Sequence, residues 1–451
     1  MDYLKSSTRR KQTALASILA LGAVVLAANV DVASAQSRQS TLLPESTLQR
    51  RGLTKAWFQR VRMDSGRDRI EHVTVVDEAL FVQTRLGLIS CVDAETGRII
   101  WNRRVGTVRW PTTAVGVGPN HVAVLNGPTL IVMQRATGDI LWEKRTERAP
   151  GAGPAVSRRS VFVIAANGVL QGFSIRDKTR TPWLYAAIGT SSVQPFATAN
   201  SVSWPTEANY FYVSSTRAMN PRFRIELGDR IVTRPVYIRP YLYVGTLGGH
   251  LYKIHERTGT QAWRLATGSP ISSKALATHE RVYVATESGG VFCLAGKVNE
   301  ETLRAAEEEA GRSERTVAVD GEEMWWAPSV TQLLAASPTR LYGRDDSGRT
   351  LILRADNGSL IDTLPTQLSD MTITNDRTDR IYLATRRGLI QCFHEVGLTE
   401  PVVHRAQKSA AADAENEAED GGLDEEGFED EEEFWDEEGF DEGEDDLFDE
   451  E

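Results

Sequence analysis

The run Cys91-Val92-Asp93-Ala94-Glu95-Thr96-Gly97-Arg98-Ile99-Ile100-Trp101 decides the fold, because its pattern returns along the chain. A β-rich run enters, Thr-Gly makes a tight turn, and a Trp follows the glycine by four residues. Gly138 and Trp142 repeat the step 41 residues further on, and Gly259 with Trp263 repeat it again. Trp57 and Trp183 are further markers of the same kind. In the fourth unit Phe223, 40 residues before Trp263, takes the place of the Trp. In the seventh, Gly358 is followed by Asp362, so that unit contributes a weaker interface.

Upstream of each such turn, two β-rich runs flank a small or polar residue. These second markers are Gly87, Gly127, Gly168, Asn209, Gly249, Gly289, Gly348 and Gly388, at steps of 40, 41, 41, 40, 40, 59 and 40. Eight units of several short strands, repeating near 40 residues, predict an all-β, eight-bladed propeller of four-stranded blades. A lone four-stranded sheet cannot bury both faces, whereas radially arranged sheets bury them against each other. Glycine enters the tight turn at positive φ without steric cost, and the Trp has the area to fill the wedge between blades. The eighth unit has no Thr-Gly-x-x-x-Trp after His394. A detached Trp strand, Ala56-Trp57-Phe58-Gln59-Arg60-Val61, stands at the start instead and is expected to complete the last blade. No sheet edge is then left open.

The ends are of different character. Lys5, Arg9, Arg10 and Lys11 precede an uncharged apolar run from Thr13 to Val30, and Ala33-Ser34-Ala35 offers a cleavage pattern. Residues 1–35 are read as a signal peptide, with an uncleaved anchor as the alternative, and the protein is expected in the periplasm or cell envelope. No Cys lies near the cleavage site to take a lipid. Residues 36–52 are read as a linker and 53–405 as the propeller. Residues 406–451 form an acidic tail, with 24 Asp or Glu and no Lys or Arg from Ala411 on. The chain as a whole carries −11, so residues 1–410 carry +13, and about +11 remains once the signal segment is removed. The pI of 5.4 describes neither half. Like charges and thin apolar content leave the tail disordered. Its aromatics, Phe428, Phe434, Trp435, Phe440 and Phe448, give it a second reading as a disordered ligand for a basic partner, divalent cations or the basic core.

With Cys91–Trp101 in view, the chain resembles the tryptophan-docking repeat of the pyrroloquinoline-quinone (PQQ) propeller superfamily over about residues 53–400. The resemblance implies the fold and leaves two functional branches. One comprises alcohol and sugar dehydrogenases that bind PQQ with calcium on the axis. The other comprises quinone-free propellers, including BamB-like lipoproteins that scaffold outer-membrane protein assembly. The dehydrogenases stack their quinone on a disulfide between neighbouring Cys residues. Here Cys91, Cys293 and Cys392 each lie four residues after a marker glycine, in three different blades. They suit a packed strand and predict no disulfide. The seven His form no metal spacing, and His255 and His394 fall at the repeat position of Asp93, a polar loop-entry slot. No hydrolase, metalloprotease or phosphate-loop signature occurs. No catalytic, cofactor or metal residue is assigned.

In the sixth unit, Asn299 to Arg315 replaces the Thr-Gly turn within an insertion at about 297–320. Its Glu, Ala and Arg content predicts a short helix, capped at Asn299, projecting from the rim. The reading that follows is an exported interaction scaffold, with protein partners in the envelope, no nucleic acid and no cofactor. It is closest to BamB-like propellers and extends to outer-membrane protein assembly. The alternative is a PQQ-dependent oxidoreductase using PQQ and calcium.

Overall fold

Eight four-stranded antiparallel sheets stand around one axis in the computed structural model, which describes residues 42–217, 221–278, 280–296 and 319–404. The segments read above as signal peptide, as blade-six helix and as acidic tail lie outside the described residues. Strands β2–β5 (residues 70–104) make blade 1, β6–β9 (116–145) blade 2, β10–β13 (155–186) blade 3 and β14–β17 (196–226) blade 4. Blades 5, 6 and 7 are β18–β21 (236–266), β22–β25 (276–328) and β26–β29 (332–364). Within each of these, chain order is sheet order, from the axis outward.

Blade 8 is built from both ends of the propeller. Its sheet runs β1-β32-β31-β30, with β1 (Leu53–Arg60) as outermost strand, β31 (Ile381–Ala384) second from the axis and β30 (Met371–Thr372) innermost. β1 pairs antiparallel with β32 (Leu389–Glu395), from Leu53 opposite Glu395 to Arg60 opposite Leu389.

The middle strands of a blade are the most buried, as in β3 (Ala79–Thr84), where all six residues are buried. Outermost strands alternate, as in β5 (Ile99–Arg104), where only Trp101 is buried. The blades therefore bury both faces at mid-sheet and one face at the perimeter. Apolar side chains gather between blades, and every inter-blade wedge has its own cluster. In the wedge between blades 1 and 2, for example, Phe81, Ile89, Cys91 and Trp101 meet Val115, Val122, Val124 and Ile131. The eight second markers all have positive φ, Asn209 among them at 66°.

Residues 42–52, expected as linker, pack into the wedge between blades 7 and 8. Pro44 precedes a one-turn helix α1 (Glu45–Gln49), whose Leu48 is fully buried. Leu43, Leu48 and Leu53 join Leu334, Tyr342, Leu383 and Phe393 there. Five helical residues are too few to display a hydrophobic period, so this element leaves no sequence signature.

Candidate functional site

The first markers share one register position on the outermost strands. Trp57 lies opposite Cys392, Trp101 opposite Cys91, Trp142 opposite Val132 and Trp183 opposite Gly172. Phe223 lies opposite Val213, Trp263 opposite Lys253, and Asp362 opposite Ile352. The corresponding residue in blade 6 is Trp325, opposite Cys293. The insertion had not removed its turn glycine but moved it to Gly321, four residues before Trp325. Without the register of β24 (Gly290–Ala295) and β25 (Glu323–Pro328), a glycine beyond a long insertion cannot be aligned.

Most of these rings reach forward to the next blade. A Cβ at Gly97 would stand 2.5 Å from the Trp57 ring, and one at Gly138 equally close to Trp101. Gly259 lies against Phe223, Gly321 against Trp263 and Gly358 against Trp325. Four indoles also donate their Nε1–H to a backbone carbonyl of the next blade: Trp57 to Ala94 at 2.9 Å, Trp101 to Arg135 at 2.8 Å, Trp142 to Ile175 at 2.8 Å and Trp325 to Ala355 at 3.0 Å. Trp183 instead lies over Gly172 of its own blade. Trp263 stands near Lys253, a fully buried ammonium 4.4 Å from the Tyr241 ring and 2.7 Å from an Asp320 carboxylate oxygen.

Where the marker is not a Trp, a carboxylate joins the blades. Phe223 has no N–H to donate, and in the following blade Glu256 accepts from Tyr237 at 2.6 Å and from Thr198 and Ser201 of blade 4. Asp362 has no ring, and Glu395 of blade 8 accepts from Thr339 at 2.9 Å, Tyr342 at 3.1 Å and Ser337 of blade 7. Around it, Arg340 donates to the Arg51 carbonyl at 2.7 Å, and Arg51 pairs with Asp362 at 3.3 Å. Arg340's guanidinium covers Gly52 much as the indoles cover the other turn glycines.

Cys91, Cys293 and Cys392 are all buried and free. Burial pushes the thiol of Cys91 up to about 11 and that of Cys293 to about 12, and raises Cys392 as well. Asp93 and His255 both cap their Thr-Gly turns: Asp93 Oδ1 accepts from the Thr96 amide at 2.7 Å, and His255 Nδ1 from the Thr258 amide at 3.3 Å. Among the described residues, no three His, Cys, Asp or Glu side chains stand close enough to hold a metal.

Two places gather polar chemistry that the repeat does not explain. The first is the axis. Gln194, ahead of blade 4, donates to the Pro154 carbonyl of blade 3 at 2.7 Å and to the Val115 carbonyl of blade 2 at 3.2 Å. Arg234, ahead of blade 5, donates to Gln194 Oε1 at 3.3 Å. Lys274, ahead of blade 6, pairs with Asp376 of blade 8 at 3.0 Å. Arg377 stands 3.9 Å from both Asp376 and Asp77 of blade 1, and Asp77 also meets Arg135 at 3.1 Å. Contacts between blades 6 and 8, or 2 and 4, are possible only near the centre of the ring. Burial drives the Arg234 guanidinium down to about 10, Asp376 opposing the shift and Arg377 adding to it.

The second place is the face formed by the blade-connecting loops and the turns that carry the second markers. These loops are tied together by Ile70 N–H to Arg386 O at 2.8 Å, Arg85 N–H to Arg69 O at 2.9 Å and Val105 N–H to Gly87 O at 2.9 Å. Over blades 8, 1 and 2 the face exposes Arg62, Arg85, Arg109, Arg386 and Arg387. Trp110 sits among them, 48 % exposed, on a loop that is anything but loose. The buried Asn126 side chain donates to the Trp110 carbonyl at 2.8 Å and accepts from the Thr107 amide at 2.8 Å. Gly127 leaves the space that the Trp110 ring leans into.

A family model described as outer membrane protein assembly factor BamB matches residues 85–217 and 214–395. An outer membrane protein assembly factor BamB from Shewanella oneidensis is 20 % identical over 249 residues, which cover 50 % of this chain. The match spans 60 % of that relative's length. Among solved structures, BamB from Moraxella catarrhalis superposes with a TM-score of 0.56 at 19 % identity, covering 76 % of this chain and 97 % of its own. The computationally designed Ika8 protein does so with a TM-score of 0.53 at 15 % identity, over 74 % of this chain and 98 % of its own. At such identities these likenesses speak for the propeller alone.

Proposed function

This chain belongs to the family described as outer membrane protein assembly factor BamB, and from that premise we propose that it is an exported protein-interaction scaffold of the cell envelope, serving outer-membrane protein assembly. The observation that carries the reading is Trp110: a large aromatic held half-exposed by a buried Asn, among arginines, on the loop face. Rigid aromatic anchors with Arg neighbours are the usual energetic centres of protein interfaces, and loops on a rigid scaffold are where recognition concentrates. Ordering such a ring in advance lowers the entropy lost on binding.

The quinone-dehydrogenase alternative finds little support at the axis. Calcium takes six to eight oxygen ligands, whereas the axial groups include Arg234, Lys274 and Arg377, with Asp376 already paired to Lys274. Incubation with PQQ and calcium, followed by dye-linked alcohol oxidation, separates the two readings.

The direct test places a photo-crosslinking residue at position 110 in cells and, for comparison, at Thr137 in the Thr-Gly turn of the same blade. Adducts with outer-membrane assembly proteins from position 110 and not from 137 are expected. Equal labelling from both, or adducts only with unrelated proteins, would overturn the assignment.

A further inference from the structure

We infer that the acidic segment of this chain, residues 411–451, docks on the turns of blades 3 and 4, on the face opposite Trp110. The dock is independent of the role in membrane assembly and uses neither Trp110 nor the axial cluster. Blade 3 carries a turn that the repeat does not explain. Between β12 (Val169–Ser174) and β13 (Trp183–Ala186), Arg176-Asp177-Lys178-Thr179-Arg180 stands where other blades make the short Thr-Gly turn. On the same face, Arg159 lies between β10 (Ala155–Val156) and β11 (Ser160–Ile164), and Arg217 follows β16 (Tyr210–Ser215) of blade 4. All five cations are exposed. The carboxylate among them, Asp177, accepts from the Thr179 amide at 2.8 Å and from its hydroxyl at 2.6 Å, closing its own turn. Lys144 of blade 2 donates to the carbonyls of Lys178 at 2.8 Å and Arg180 at 3.3 Å, which fixes the turn with its cationic side chains in solvent.

The place where the chain leaves the propeller selects the occupant. Val403 pairs with Thr378, in the stretch between β30 and β31, and the His404 amide donates to the Arg377 carbonyl at 2.9 Å. That stretch is the blade-8 counterpart of the turn holding Arg159, so the chain leaves on the basic face and close to the axis. Beyond it, residues 411–451 hold 24 Asp or Glu and no Lys or Arg. Blade 1 repels such a segment, because its equivalent turns carry Asp77, Glu78, Asp93 and Glu95 against Arg98. Blades 3 and 4 attract it, and guanidinium forks match carboxylate oxygens. Reach is ample: residues 405–423 can span at most about 60 Å, whereas a folded core of this length has a radius of gyration of roughly 20 Å. Each exposed ion pair adds little alone, but many on one tethered segment act together at high effective concentration. The Trp110 face stays uncovered, so the acidic segment and a partner at Trp110 do not compete for one surface.

The test treats the full chain with a zero-length carbodiimide, which joins a carboxylate to an amine, and identifies the linked peptides by mass spectrometry. Lys178 is the amine within the basic patch, while Lys55 on the outermost strand of blade 8 and Lys274 at the axis serve as references. Mixing isotopically light and heavy chains separates links within one chain from links between copies. Links from residues 411–451 to Lys178 of the same chain should exceed those to Lys55 and Lys274. They should fall roughly tenfold when sodium chloride is raised from about 20 to about 500 mM, as screening shortens the reach of exposed charges. Arg176→Gln combined with Arg180→Gln, both at exposed positions, should lower them about threefold. Equal links at all three lysines, no links to Lys178, or links only between different copies would each overturn the dock. So would links to Lys178 that ignore both salt and the two substitutions.

Discussion

Glu395→Ala should be among the most damaging single substitutions in this propeller, more so than shortening any one docking indole. Its carboxylate is the acceptor for Ser337, Thr339 and Tyr342, three hydroxyls of the neighbouring blade. Hydrogen bonds to a charged group contribute about 1.5–3 kcal/mol each, and they do not add fully when they share one acceptor. Ser337 and Tyr342 are buried, at 4 % and 0 % exposure, so their hydroxyls would be stranded without water. A loss of about 3–5 kcal/mol is expected for Ala, since it removes a carboxylate and leaves its donors unpaired. Gln keeps one acceptor oxygen and should cost roughly 1–2 kcal/mol. Trp142→Phe, by contrast, deletes one neutral N–H bond to the Ile175 carbonyl, worth about 1 kcal/mol before packing losses. Urea unfolding followed by Trp fluorescence reads all three, provided the slope with denaturant stays constant. A double-mutant cycle with Tyr342→Phe isolates the pair. If Glu395→Ala costs under about 1 kcal/mol, or shows no coupling to Tyr342, the carboxylate is not what joins blade 7 to blade 8.

Further expectations concern separate parts of the molecule. Gly138→Ala forces a side chain at φ 72° and places its Cβ 2.5 Å from Trp101, while Gly268→Ala meets nothing within 4 Å at φ 70°. Thermal unfolding should show Gly268→Ala losing about 1 kcal/mol of strain energy, with Gly138→Ala losing clearly more; equal losses would argue against the ring-on-glycine dock. The three thiols, buried and raised by that burial, should not react with a thiol reagent at pH 8 until urea opens the fold, and fast labelling of the native chain would contradict the packing. Burial lowers His72 below its ordinary value of 6.5, with Arg386 contributing against Glu71. The unfolded chain then takes up the proton first, so stability should fall as pH drops below 6.5 and level off once pH passes the lower folded value. His72→Asn should flatten that slope in unfolding curves between about pH 7 and 5, and an unchanged slope would assign it to other groups.

Period and glycine placement made the ring legible. A residue such as Gly97 announces itself because the same turn, in the same register, must be made again and again. Elements used once do not. Helix α1 is a single turn, and the displaced Gly321 could be matched to Gly97 only after β24 and β25 were paired. Glu256 and Glu395 occupy the slot of Ala94 in the repeat, and nothing in a sequence says which hydroxyls of the preceding blade a carboxylate will find. The axial cluster was invisible for a related reason. Gln194, Arg234 and Lys274 sit in equivalent loops, but their partners lie one or two blades away, where sequence separation carries no information about distance.

Closing the ring with the first strand fixes an order of events in time. Residues 53–60 are made before any other part of the propeller, yet their partner β32 is among the last strands to appear. Until then seven blades can stack while blade 8 presents an unfilled edge. That edge is specific for one eight-residue segment, and a newly made neighbour carries the same segment. At high local concentration a strand from one copy can complete the blade of another, giving exchanged dimers with every native contact intact. Synthesis at high local concentration is thus the moment at which this architecture is most exposed to error.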